Sequence, residues 1–191
     1  MELLENRISA EGRVLPGNII KIDGFLNHQV DIRLMRELAR EFRRLFPEKE
    51  INKILTVEAS GIALAAVTAL EFDVPMVFVK KAKSDNIEGG LYQSDIFSYT
   101  YKRKVTLLLA KQWLTPNDNV LIIDDFLANG EAMRGVIEIV GQSGAKLTGV
   151  GIAVEKGFQP GGARLREQGV NLKSLAVIDG TEGGKIMFRK Q

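Results

Sequence analysis

Short apolar runs bounded by turn residues alternate with stretches of helical periodicity along most of this chain, and that alternation narrows its possible folds more than any other feature. The runs NKILTV (52–57), PMVFVK (75–80), NVLIIDDF (119–126), KLTGVGIAVEK (146–156) and LKSLAVID (172–179) have strand length and carry few polar residues. Strands buried on both faces belong to parallel sheets covered by helices. The helices lie between them. DIRLMRELAREFRRLF (31–46) sets Leu34, Leu38, Phe42 and Leu45 on one face, with Pro47 beyond its end. Residues 62–72 form a small-residue helix, a third presents Met133, Val136, Ile137 and Val140 until Gly144 stops it, and GGARLREQG (161–169) is short. The sequence therefore predicts an α/β fold with a central, mainly parallel five-stranded sheet flanked by helices, a single domain over residues 1–191.

Two segments stand outside the alternation. The first 30 residues do not fit it: NIIKIDGFLNHQ (18–29) reads as irregular or short-strand structure, part of a small N-terminal hood over the sheet's edge. In open parallel sheets ligands bind beyond the carboxyl ends of the strands, so such a hood is well placed to finish a pocket. The polar stretch 81–104 reads as a long mobile excursion or a hairpin, and loops of that length in compact domains are usually functional or disordered. After it VTLLLA (105–110) resumes the core pattern.

Composition removes several chemistries. With no cysteine there are no disulfides or thiolate zinc sites, and nothing speaks for an oxidising compartment. The single histidine, His28, excludes a multi-histidine metal centre, so any metal is a hard, oxygen-bound ion. Lys plus Arg number 26 against 24 Asp plus Glu, a net charge of +2, too balanced for a protein devoted to nucleic acid. The most apolar stretch, residues 62–70, is far shorter than the roughly 20 residues of a membrane span. MELLENRISAEGRVL has no signal-peptide order. A cytoplasmic protein without membrane contact is expected.

The chemistry concentrates in VLIIDDFLANGEA (120–132). Asp124 and Asp125 sit where a buried strand emerges, and Ala128, Asn129 and Gly130 make a small-residue turn into the next helix. Such a turn lets backbone N–H groups converge on an anion at a helix N-terminus. Two carboxylates just before it suit the hydroxyls of a sugar carrying that phosphate. An Asp pair after an apolar strand also occurs in receiver-type and metal-binding α/β domains, and either carboxylate can simply cap the turn.

The whole motif, an apolar run, two Asp, two spacers, then small–polar–Gly, resembles the phosphoribosyl pyrophosphate signature of type I phosphoribosyltransferases. VEASG (57–61) resembles that family's pyrophosphate loop, and 81–104 stands where its flexible catalytic loop does. The resemblance spans essentially the full length, with FLNHQVD (25–31) and EKGFQPG (155–161) included. It implies transfer of a phosphoribosyl group from phosphoribosyl pyrophosphate (PRPP) to a purine, with Mg²⁺ carried by PRPP rather than by a protein site, and a homodimer. Asp124 and Asp125 would act at the ribose, directly or through a Mg-bound water, with Asp125 also a proton acceptor near the base. Ala128, Asn129, Gly130, Glu131 and Ala132 would hold the 5′-phosphate, and Glu58, Ala59, Ser60 and Gly61 the pyrophosphate. Ser60 is equally suited to capping the helix that follows.

Ile20, Asn27 and Lys156 would meet the base, with Phe126 or Phe158 stacking on it. Many type I enzymes have Thr or Ser where this chain has Asn129 and Ala132. That variant is similar to the xanthine-using branch, so xanthine is the implied acceptor, with guanine or hypoxanthine as alternatives. In the loop, Lys80, Lys81, Lys83 and Lys104 are candidates to screen pyrophosphate. A PRPP-sensing regulator on the same fold is the competing class.

Overall fold

In the computed structural model the described residues are 1–16, 19–81, 90–98, 103–182 and 185–190. The elements run α1 (Glu2–Glu11), β1 (Arg13–Leu15), β2 (Ile19–Lys21), α2 (Ile32–Leu45), β3 (Lys53–Val57), α3 (Gly61–Phe72), β4 (Met76–Val79), β5 (Leu91–Ser98) and β6 (Arg103–Ala110). They continue with β7 (Asn119–Leu127), α4 (Glu131–Ser143), β8 (Lys146–Lys156), α5 (Gly161–Glu167), β9 (Leu172–Glu182) and β10 (Lys185–Phe188). The central sheet has the order β10-β9-β8-β7-β3-β4. Its five predicted strands are all parallel to their neighbours, and β10 adds an antiparallel edge.

Successive side chains of a strand point to opposite faces, and β7 shows how that builds two cores. Leu121 and Ile123 join the apolar cluster under α1, α2 and α3, which also holds Leu38, Phe42, Leu64 and Ala65. Val120 and Ile122 join the opposite cluster, with Met133, Val136, Ile139 and Val140 of α4 and Leu165 of α5. The helix predicted over 31–46 begins where Asp31 accepts hydrogen bonds from the Arg33 and Leu34 amides at 3.0 and 3.1 Å.

Residues 19–29 hold the short β2 and a run of turns, as expected; ahead of them, unforeseen, α1 buries Leu4 and Ile8 against the sheet and β1 pairs with β2. Only two buried positions four residues apart mark that helix, too weak a stripe beside its many charges. One expectation is corrected: the sheet has six strands rather than five, because Lys185–Phe188 turns back along β9. VTLLLA is core-facing as read, within β6, which pairs with β5 in a hairpin separate from the central sheet and buries Leu107, Leu108 and Leu109. A bridge between Lys80 and Leu108 is that hairpin's link to the end of β4.

The hairpin lies on α4. Gln142 donates to the Gln93 carbonyl at 2.7 Å and accepts from the Gln93 amide at 3.2 Å, while Arg134 donates to the Asp95 carbonyl at 2.8 Å. One wall of the ligand cleft is thereby fixed to the helix that begins at the phosphate-loop motif. Among the described residues no helix is long and apolar enough to cross a membrane.

Candidate active site

The parallel strands end together, and the candidate residues gather beyond those ends. Asp124 and Asp125 lie at 7% and 3% exposure near the carboxyl end of β7. Asp125 is the junction: one oxygen accepts the Ser60 hydroxyl at 2.9 Å, the other the Asn27 side-chain amide at 3.1 Å. Three parts of the chain far apart in sequence thus meet on one carboxylate. Asn27 is delivered by a turn in the hood, closed by Gln29 N–H to the Asp23 carbonyl and Asp31 N–H to the Phe25 carbonyl, each at 2.9 Å. Ser60 does not cap α3 with its side chain, so of its two sequence-based roles the capping one is lost.

Asp124 faces inward. One of its oxygens accepts the Asp125 amide at 3.1 Å, and a methyl added to the buried Gly61 would strike it. Burial first, then the charge of Asp125, raises the Asp124 carboxyl well above the usual carboxylate range. A carboxyl with a raised folded-state pKa stabilises the fold most at low pH, and the contribution declines as pH rises from its unfolded value towards its folded one. Asp124→Asn removes that decline. Its melting temperature relative to ligand-free wild type is therefore expected to climb between about pH 4 and pH 7. Thermal melts across that range check this, and a constant difference would contradict it.

Residues 128–132 form the strand-to-helix turn. Gly130 adopts φ 86°, in the left-handed region, and no side chain caps α4, which leaves the first-turn N–H groups without intrahelical partners. The turn rests on the start of α5: Gly161 donates to the Ala128 carbonyl at 3.1 Å. A methyl on Gly161 would collide with that carbonyl and lie 2.8 Å from the Gly130 nitrogen.

A cleft of about 580 Å³ runs over these groups. Its lining includes Glu58 and Ala59, Asp124, Phe126 and residues 128–132, with Ile96, Phe97, Arg103 and Val105 of the hairpin opposite. The Glu58–Ala59 peptide bond is cis, and the Glu58 carboxylate accepts the Lys81 amide. Sequence reasoning did not single out Ile96, Phe97, Arg103 and Val105, which lie in and just after the polar 81–104 stretch it marked as functional. Lys81 lines the cleft, Lys104 a smaller pocket beside it, and Lys80 forms the β-bridge. Lys83 falls outside the described residues.

Of the base-site candidates, Lys156 is half-buried with its ammonium 5.5 Å from the centre of the Phe126 ring, and burial lowers its pKa. Phe126 lines the cleft, whereas Lys156, which approaches that ring, and the exposed Phe158 are not part of the lining. Ile20, at 6% exposure, belongs to the apolar cluster beneath the hood. His28 is exposed.

An uncapped helix N-terminus stands beside an acidic pair at the switch of a parallel sheet, the arrangement of the type I phosphoribosyltransferases. The chain belongs to that family: the phosphoribosyl transferase domain profile matches residues 22–161. It is similar at 51% identity over 191 residues to the xanthine phosphoribosyltransferase of Lachnoclostridium phytofermentans, covering 99% of this chain and 98% of that protein. With the xanthine phosphoribosyltransferase of Ruminiclostridium cellulolyticum it shares 52% over 188 residues, 98% of this chain and 99% of that one. The fold is also that of Giardia lamblia adenine phosphoribosyltransferase solved with 9-deazaadenine, at a TM-score of 0.76 and 21% identity, covering 91% of this chain and 96% of that one.

Proposed function

We propose that this phosphoribosyltransferase moves the 5-phosphoribosyl group from PRPP to xanthine, giving xanthosine 5′-monophosphate and pyrophosphate. The observation that carries the reading is the cleft in which the uncapped N-terminus of α4 adjoins Asp124, with Asp125 next to it on β7. The acceptor is taken from relatives of about half identical sequence that bear the xanthine name.

In the reaction the bond from the anomeric carbon to pyrophosphate breaks, a bond to a purine nitrogen forms, and that nitrogen gives up its proton. Residues 128–132 bind the 5′-phosphate with main-chain donors. The acidic pair orients the ribose, and Asp125, already steadied by Ser60 and Asn27, is the carboxylate assigned to the proton. Residues 58–61 face the pyrophosphate. Lys156 and Asn27 supply donors to a base with carbonyls at two positions, with Ile20 behind them and Phe126 as the apolar face.

Magnesium fits as a passenger of the donor. Among the described residues no group of three acidic or histidine side chains could hold it, and Asp125 already serves two donors. Asp124 and Asp125 would reach it through water; bound there, the ion neutralises charge on the departing pyrophosphate. Lys81 and Lys104 screen the same charge. The hood, roughly residues 1–30, works as part of one catalytic unit, and we assign the protein to the cytoplasm as a homodimer.

A panel of xanthine, guanine, hypoxanthine, adenine, uracil and orotate, each incubated with PRPP and Mg²⁺, tests the assignment by nucleotide formation. Xanthine is expected to react fastest. Faster turnover of guanine or hypoxanthine would move the acceptor, and PRPP binding without product from any base would make the protein a PRPP-sensing regulator.

A further inference from the structure

An ion pair that the proposed reaction does not use joins the end of β8 to α5. Glu155, at 2% exposure, accepts both prongs of the Arg166 guanidinium, each at 2.7 Å, and the Ser174 hydroxyl as well. The two hydrogen bonds from Arg166 and that from Ser174 outweigh burial and hold its carboxyl below the usual range, so the pair stays ionised in the folded protein. Only the Glu155 half of this pair is buried, and such a pair is weak evidence of stability; what its two parallel hydrogen bonds do fix is the geometry between β8 and α5.

The geometry at issue is that of α5. Arg166 sits on it, and its first residues, Gly161 and Gly162, are wedged between two fixed objects. A methyl on Gly162 would collide with the Glu155 carboxylate, and one on Gly161 with the backbone of the 128–132 turn. On the sheet, Glu155 stands directly opposite Leu127, the residue before that turn, and it immediately precedes Lys156. One carboxylate therefore touches the helix that braces the phosphate turn and lies next to the lysine assigned to the base.

We propose that the Glu155–Arg166 pair is a positioning device that seats the phosphate turn and Lys156 together, so that affinity for PRPP and for the purine depends on it jointly. The inference rests on the roles given above to residues 128–132 and Lys156. Neither Glu155 nor Arg166 touches substrate. Glu155→Gln keeps the shape and removes the charge; Arg166→Lys keeps the charge and loses the planar fork.

Initial-rate kinetics with both substrates varied, alongside thermal melts, distinguish positioning from bulk stability. Loss of folded protein lowers the apparent kcat and leaves KM alone, whereas a misplaced site raises KM. Both variants are expected to raise KM for PRPP and for the base together, by about fivefold or more for Glu155→Gln and less for Arg166→Lys, with kcat per folded molecule within about twofold. Wild-type KM values in the two variants, or a rise for one substrate only, would overturn the proposal. Should Glu155→Gln not fold, Arg166→Lys decides alone, because Arg166 is 41% exposed. Failure of wild type to turn over any base would instead refute the functional reading itself.

Discussion

Asp125→Asn is expected to lower turnover by about a hundredfold or more while changing the melting temperature by only a few degrees. The two effects separate because Asp125 does two things. As a structural acceptor it receives one hydrogen bond from Ser60 and one from Asn27. An asparagine keeps one oxygen and turns an amide group towards the other donor, so about one hydrogen bond is lost, a cost near 1 kcal/mol. Removing the charge also relieves its repulsion of the buried Asp124, which offsets part of that cost. As a chemical group, by contrast, the carboxylate has no substitute: the proton acceptor and the anionic contact to the ribose disappear together. Steady-state rates beside thermal melts make the comparison, and a rate close to wild type would remove Asp125 from the chemistry.

Gly161→Ala is expected to raise KM for PRPP by about ten- to a hundredfold and to cost about 1 to 3 kcal/mol of stability. The added methyl would press on the Ala128 carbonyl, the Gly130 nitrogen and the Asn129 carbonyl carbon, the latter two at 2.8 and 3.0 Å. All three are main-chain atoms. No side chain can rotate away, so the phosphate turn or α5 must shift, and Gly130 has little freedom because its φ of 86° suits only glycine. Initial rates against PRPP, with denaturant melts, check both figures. An unchanged KM would mean that the phosphate does not bind on this turn.

The parts of the site legible in the sequence are those made locally. Asp124, Asp125 and residues 128–132 lie in one uninterrupted strand–turn–helix, so a local pattern and its resemblance to a known signature were enough to mark them as candidates. The contact of Asn27 with Asp125 and that of Gly161 with Ala128 join distant segments, and nothing near either residue announces its partner. The same distinction separates the elements. α2 has a full apolar stripe and was readable, whereas α1 depends on Leu4 and Ile8 finding the sheet. β6 reads as core and its leucines are buried, but against α4 and β5 rather than within the main sheet, which the sequence left open. Apolar sequence reports that a strand is covered, not which sheet covers it.

The side-chain amide of Gln142 offers Gln93 a donor and an acceptor side by side, as a neighbouring peptide unit would. A two-stranded ribbon left bare along one border invites foreign chains to zip onto it, and such recruitment starts many aggregates. Here one glutamine, helped by Arg134, imitates the missing neighbour, and the ribbon stays solitary without a third strand being built.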